Sequence, residues 1–176
     1  MQYQLGPPLI SAEAIQARVA DLAAAISSDY AERDLLVICV LKGAAIFWAD
    51  LVRRITIPCQ NDFVAMESYG AGTTAKVAPR FTKAAGVDLK DRDILIVEDI
   101  IDTGHTIGRL RSLLELQGPR SLALCSLLDK AERREVATAI DYCGFVIPNV
   151  FVVGYGLDHA QQYRHLPYLA RLEPVF

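Results

Sequence analysis

Ile94-Leu-Ile-Val-Glu-Asp-Ile-Ile-Asp-Thr-Gly-His-Thr-Ile-Gly-Arg-Leu110 is the stretch that decides the fold. Its first four residues form a continuous apolar run, the pattern of a strand buried on both faces of a parallel sheet. Glu98 and Asp99 follow at once, and Asp102 comes three residues later. Thr103, Gly104, His105 and Thr106 then lead into a helix that places Ile107, Leu110 and Leu114 on one face. The reading is a strand that ends in acids and turns through a hydroxyl-bearing loop into a helix. In open α/β sheets that is where ligands bind, beyond the carboxyl ends of the strands.

This stretch offers two chemically different surfaces. The loop and helix start present free backbone N–H groups and the hydroxyls of Thr103 and Thr106, which suit a phosphate monoester. Glu98 and Asp99 repel phosphate and need another client: sugar hydroxyls, or hydroxyls together with a bound Mg²⁺. Phosphate beside polyol describes a sugar phosphate. The spacing matches neither the phosphate loop of NTPases nor the Gly-x-Gly-x-x-Gly dinucleotide fingerprint. The plain alternative is an ordinary strand-to-helix turn capped by Asp and Thr.

Working outward, 176 residues fit one domain that buries most of what its unfolded chain exposes. With 52% apolar and 22% charged residues the chain is globular and not disordered. A buried subunit interface would use the slight apolar surplus, so a homo-oligomer, dimer or tetramer, is expected. A net charge of −3 and a pI near 5.6 give no sign of a basic nucleic-acid surface. Cys39, Cys59, Cys125 and Cys143 lack Cys-x-x-Cys spacing, and two lie within apolar runs, so they read as small core residues. The N-terminus has neither a basic start nor an apolar core, which excludes a secretory signal. The longest apolar run, Leu35 to Leu41, stops at Lys42, too short to span a bilayer. No membrane association is expected, and the expected setting is the cytoplasm.

Ser11 is placed to cap a helix with Ile15, Val19, Leu22, Ala23 and Ile26 on one apolar face, most simply a cover for the sheet. Leu35 to Val40 is a buried strand that runs into Lys42-Gly43, with a helix from Ala44 to Ile55. Lys42-Gly43 reads either as a turn with a solvated lysine or as a site for a second anionic group. Phe63 to Met66 is a short strand. The segment from Glu67 to Asp91 shows no sustained period and reads as a lid or an inert loop, with glycines at its near end for hinge motion. Gly118-Pro119 ends the central helix, and Ser121 to Leu128 is the next buried strand. Lys130, just past it, is either solvated or turned into the same crevice as the acids. Residues 131–140 have weak helical character. Phe151 to Val153 is strand-like, and Gly154 and Gly156 bring the backbone close to a neighbour. Strands alternating with helices specify an α/β fold with a parallel sheet.

Val-Glu-Asp-Ile-Ile-Asp-Thr-Gly-His-Thr, residues 97–106, resembles the phosphoribosyl-pyrophosphate (PRPP) signature of type I phosphoribosyltransferases, most closely the hypoxanthine-guanine branch of purine salvage. Five segments between Val37 and Arg164 match that family in order. The resemblance implies a Rossmann-like core, about residues 31–130, under a small hood from residues 1–30 and 131–176, in a single domain spanning residues 1–176. It also implies roles. Asp102 is the general base, and Asp102 to Thr106 bind the 5′-phosphate: Asp102, Thr103, Gly104, His105 and Thr106. Glu98 and Asp99 hold the ribose, and Lys42, Gly43 and Arg164 hold pyrophosphate, the first two through backbone groups in a strained peptide conformation. Ser68 and Tyr69 belong to a mobile catalytic loop. Lys130 contacts the purine 6-oxygen, Phe151 stacks on the ring, Val152 meets it through its backbone, and Asp158 belongs both to this purine site and, with Glu98 and Asp99, to the Mg²⁺ site.

The implied reaction is transfer of a 5-phosphoribosyl group from PRPP to hypoxanthine or guanine, with Mg²⁺ as cofactor. Rival readings are a phosphoribosyltransferase for xanthine, adenine or uracil, and an RNA-binding regulator on the same fold. A phosphoacceptor domain using Asp99 is poorly served by Thr-Gly-His-Thr beside three acids.

Overall fold

The computed structural model describes residues 2–67 and 80–175; Ser68 and Tyr69 lie outside them. Nine strands and three helices occur among the described residues: β1 (Gln2–Ile10), α1 (Ala12–Asp29), β2 (Leu35–Leu41), α2 (Ala45–Val52), β3 (Cys59–Glu67), β4 (Arg80–Lys83), β5 (Asp93–Ile101), α3 (His105–Glu115), β6 (Ser121–Asp129), β7 (Tyr142–Val146), β8 (Val152–Val153) and β9 (Leu169–Val175). They form a six-stranded sheet of order β4-β3-β2-β5-β6-β7 and a three-stranded sheet of order β1-β9-β8. In the large sheet β3, β2, β5, β6 and β7 are parallel, and only the edge strand β4 is antiparallel. The expected α/β class with a parallel sheet is what forms.

The pleat of the central strands builds the core. Successive side chains of a strand point to opposite faces. Leu35, Val37, Leu95 and Val97 therefore join α1 and α2 on one side. Leu36, Ile38, Ile94 and Ile96 meet Ile107, Leu110 and Leu114 of α3 on the other. Both faces are covered, which is why β2 and β5 read as unbroken apolar runs. Ser11 caps α1 as expected, its Oγ accepting from Ala14 N at 3.2 Å, an arrangement worth about 1 kcal/mol. Cys39 sits in this interior, and burial, aided by the charges of Glu98 and Asp99, pushes its thiol up to about 12. It is an inert core residue.

Several features differ from the sequence reading. β5 does not stop at the acids: it continues through Glu98 and Asp99 to Ile101, pairing Glu98 with Ser126 and Ile100 with Leu128. Helix α2 is shorter than Ala44 to Ile55. The segment 67–91 contains β4, which exists through pairing with β3, such as Met66 with Phe81, and so leaves no local period. The small sheet draws only Gln2–Ile10 from the first thirty residues, because the apolar face of α1 needs the β2 and β5 surface. β7, expected in the hood, joins the large sheet, and Arg18 of α1 donates to the carbonyls of Cys143 and Gly144 within it. Residues 131–140 hold one 3₁₀ turn, Ala131–Arg133.

Candidate active site

Four loops converge beyond the carboxyl ends of β2, β5, β6 and β8. They enclose a crevice of about 380 Å³ lined by Lys42, Gly43, Asp99, Asp102, Lys130, Phe151, Val152, Asp158 and Arg164, with Ile100 and Leu157 between them. A smaller cavity of about 90 Å³ adjoins it, lined by Glu98, Thr103, Gly104 and Thr106, with Ile100 and Asp102 shared by both. Most residues singled out from the sequence are thus brought together, Lys42 and Arg164 being 122 positions apart in the chain. His105 faces away. Its Nε2 lies 2.8 Å from Glu135 Oε2 on the exposed side of the turn.

The two acids of β5 part company. Asp99 opens into the crevice, whereas Glu98 is 9% exposed and lies against the small cavity. Burial and the adjacent charge of Asp99 hold the Glu98 carboxyl well above the usual carboxylate range. Asp99 is also raised by burial, although Arg164 opposes the shift. Each carboxylate accepts a backbone N–H: Asp99 N donates to Glu98 at 3.0 Å, and Ile100 N donates to Asp99 Oδ1 at 2.7 Å. Two acids held against each other in a dry place form a site that a cation or a pair of hydroxyl donors would relieve.

The small cavity has the features of an anion site. Helix α3 starts at Gly104 without a side-chain cap, so its first N–H groups remain free for a ligand. The loop before it is held from behind: Glu135 N and Val136 N both donate to Thr103 O, at 2.9 and 3.0 Å. Those bonds explain why residues 134–138 make no helix of their own. Arg134 adds a bond from Nε to Asp102 O at 3.1 Å and pairs with Asp129.

Lys130 is 6% exposed, so the solvated alternative is excluded. Burial lowers its proton affinity, while Asp102, 4.0 Å away, opposes that shift. The other oxygen of Asp102 lies 3.1 Å from Arg133 Nε. Sequence reasoning missed Arg133 and Arg134. Two consecutive arginines just after a strand-end lysine were the available signal.

The glycines of the crevice are required by space. The peptide joining Leu41 to Lys42 is cis. At Gly43 an added Cβ would overlap Asp99 Oδ2 and stand 2.7 Å from its Cγ. Gly156, at φ +102°, packs so closely on the Gly43 carbonyl oxygen that a Cβ there would run into it. The turn from Gly154 to Asp158 is clamped by Arg164, which donates to Gly156 O at 2.6 Å and pairs with Asp158 at 2.6 Å. Asp99, Gly43 and Gly156 are stacked without a gap.

This arrangement defines a class. Residues 10–160 match the phosphoribosyl transferase domain, and the chain belongs to the phosphoribosyl transferase family. Within it the resemblance narrows. The chain is 45% identical over 167 residues to the hypoxanthine phosphoribosyltransferase of Haemophilus influenzae, covering 93% of each. It is 46% identical over 172 residues to the hypoxanthine-guanine phosphoribosyltransferase of Mycobacterium bovis, covering 94% of this chain and 85% of that one. The crystal structure of a hypoxanthine phosphoribosyltransferase from Staphylococcus aureus superposes with a TM-score of 0.92 at 38% identity, covering 97% of this chain and 92% of that one.

Proposed function

We propose that this chain transfers the 5-phosphoribosyl group of PRPP to a ring nitrogen of hypoxanthine, and of guanine, in purine salvage, releasing pyrophosphate. One observation carries the reading. An acid facing a crevice (Asp99), an uncapped helix start beside it (α3), a buried lysine (Lys130) and an exposed aromatic (Phe151) line two adjoining cavities.

The C1′–O bond to pyrophosphate breaks and the new C1′–N bond forms in a loose displacement, with positive charge building on the ribose ring and negative charge on the leaving group. Catalysis is then placement and separation of charge. Thr103 to Thr106 and the α3 N-terminus hold the 5′-phosphate, with His105 acting through its backbone. Asp99 receives the ribose diol and Glu98 stiffens it from below. Asp102 takes the proton of the purine imidazole ring. Lys130 donates to the 6-oxygen, and a lysine cannot accept, so adenine with its amino group is disfavoured. Phe151 stacks on the ring, Val152 meets its edge through the backbone, and Lys42, Gly43 and Arg164 receive pyrophosphate. Ser68 and Tyr69 close over the reacting centre and exclude water.

A divalent cation fits these residues. Among the described residues no group of three or more His, Cys, Asp or Glu side chains could hold a metal alone. Mg²⁺ commonly relies on one or two carboxylates plus substrate phosphates, and Asp99 and Asp158 both face the crevice, with Glu98 behind Asp99. When bound, Mg²⁺ neutralises charge on the departing pyrophosphate. The setting is the cytoplasm; among the described residues no helix is long and apolar enough to cross a membrane. The working form is a homo-oligomer, and Val146 on the edge strand β7, 70% exposed, is one apolar side chain a second copy would cover.

The test is pyrophosphate release with PRPP, Mg²⁺ and a panel of six bases differing in ring substituents. Turnover with hypoxanthine and guanine but not adenine or uracil is expected. Turnover confined to adenine, or none with any base, refutes the assignment.

A further inference from the structure

Phe151 is 52% exposed on the crevice wall, yet its ring is not free. The imidazole of His159 meets it edge-on, with ring centroids 5.6 Å apart at 89°. The phenol of Tyr3 meets the same imidazole at 4.7 Å, tilted by 58°. The three rings form a file from the crevice to strand β1. All three members are tied down through their backbone. Tyr3 pairs with Pro174 across β1 and β9. His159 sits at a tight turn closed by reciprocal bonds with Gln162, at 3.2 and 2.9 Å, with Ala160 and Gln161 both at positive φ. Phe151 is tied to β9 in turn, its carbonyl accepting from Leu172 N at 3.0 Å.

An exposed phenylalanine would otherwise explore its rotamers, and each ligand that stacks on it would bear the entropy of ordering it. We infer that His159 and Tyr3 are positioning residues that hold the Phe151 ring ready for the base, so that strand β1 contributes to base affinity without touching the ligand. The inference rests on the reading of Phe151 as the base platform. Edge-to-face pairs are worth about 0.5–1.5 kcal/mol beyond their burial, which converts to roughly a 2- to 12-fold change in affinity.

The test compares wild type, His159→Ala, His159→Phe and Tyr3→Ala by steady-state pyrophosphate release, with melting temperatures recorded for each. His159→Ala is expected to raise KM for hypoxanthine roughly 2- to 12-fold while kcat and KM for PRPP stay at wild-type values. His159→Phe restores the wild-type KM because it restores the edge contact, and Tyr3→Ala has a smaller effect of the same kind. In a Phe151→Leu background, His159→Ala adds nothing further, since its partner is gone. A hypoxanthine KM unchanged in His159→Ala, an equal rise in KM for PRPP, or a full effect persisting without Phe151 overturns the inference. Wild-type chain inactive with every base overturns the functional reading itself, a distinguishable result.

Discussion

Gly43→Ala tests the crevice at its tightest point. The added methyl carbon would overlap Asp99 Oδ2 and lie 2.7 Å from its Cγ, so one side must give. The loop cannot retreat, because the Gly43 carbonyl already presses on Gly156. Asp99 must therefore rotate and give up the bond it accepts from Ile100 N at 2.7 Å. A hydrogen bond to a charged group contributes about 1.5–3 kcal/mol. For a chain of this size that loss lowers the melting temperature by roughly 3–12 °C. Turned away, Asp99 would also lose the ribose diol proposed for it, and a second loss of about 1.5–3 kcal/mol should lower kcat/KM for PRPP roughly 10- to 150-fold. Thermal melting and pyrophosphate release at varied PRPP read the two effects separately, and KM for the base serves as the control. A Gly43→Ala chain that melts within a degree of wild type and keeps its kcat/KM for PRPP would show the stacking of Gly43 on Asp99 to be without consequence.

Asp102→Asn is expected to lower kcat about 10²- to 10⁴-fold while PRPP affinity stays nearly intact; near-normal single-turnover rates would contradict the base role. Lys130→Met should lower kcat/KM for hypoxanthine roughly 10- to 150-fold. Burial lowers the proton affinity of Lys130, so wild-type base binding should weaken on the alkaline side at a pH below the ordinary lysine value. That limb should be absent from Lys130→Met; because the purine titrates identically with both proteins, only their difference counts. Glu98→Gln should melt higher than wild type at pH 7 yet turn over more slowly. The Glu98 carboxyl is raised in the folded state, so its ionisation costs stability as pH climbs from the unfolded value toward the folded one. Below about pH 4.3 both states hold the proton and the two melting curves should coincide. Equal melting at pH 7 would mean that Glu98 is not destabilised by its surroundings.

How much of this was legible beforehand depends on where each element gets its stability. β2 and β5 were readable as unbroken apolar runs because both of their faces are covered, and β6 as a run broken only by Ser126. Helix α1 announced itself through the spacing of Ile15, Val19, Leu22 and Ile26. β4 left no local trace, since its pairing with β3 alone defines it. For α1 the apolar face alone pointed to a cover for the sheet, which is what forms, whereas the family resemblance put the same residues in the hood. At the site, the acids, the threonine loop and Lys130 stood out by chemistry. Arg133 did not, because a surface-looking arginine acquires meaning only when Asp102 is found 3.1 Å away. The wedging of Gly43 between Asp99 and Gly156 was equally invisible, being a contact among three segments distant in sequence.

The pleat of β5 acts as a ruler. Counting from Ile94 to Asp99, alternate positions go to the α3 side and the rest to the α1 side, and that count sends Glu98 beneath the turn and Asp99 into the open. A single residue inserted between Asp93 and Val97 would exchange the two acids and turn the apolar set over with them. No compensating substitution near the ligand could restore the arrangement, so the spacing of a wholly apolar run, with no reactive atom in it, governs the chemistry as firmly as the acids themselves.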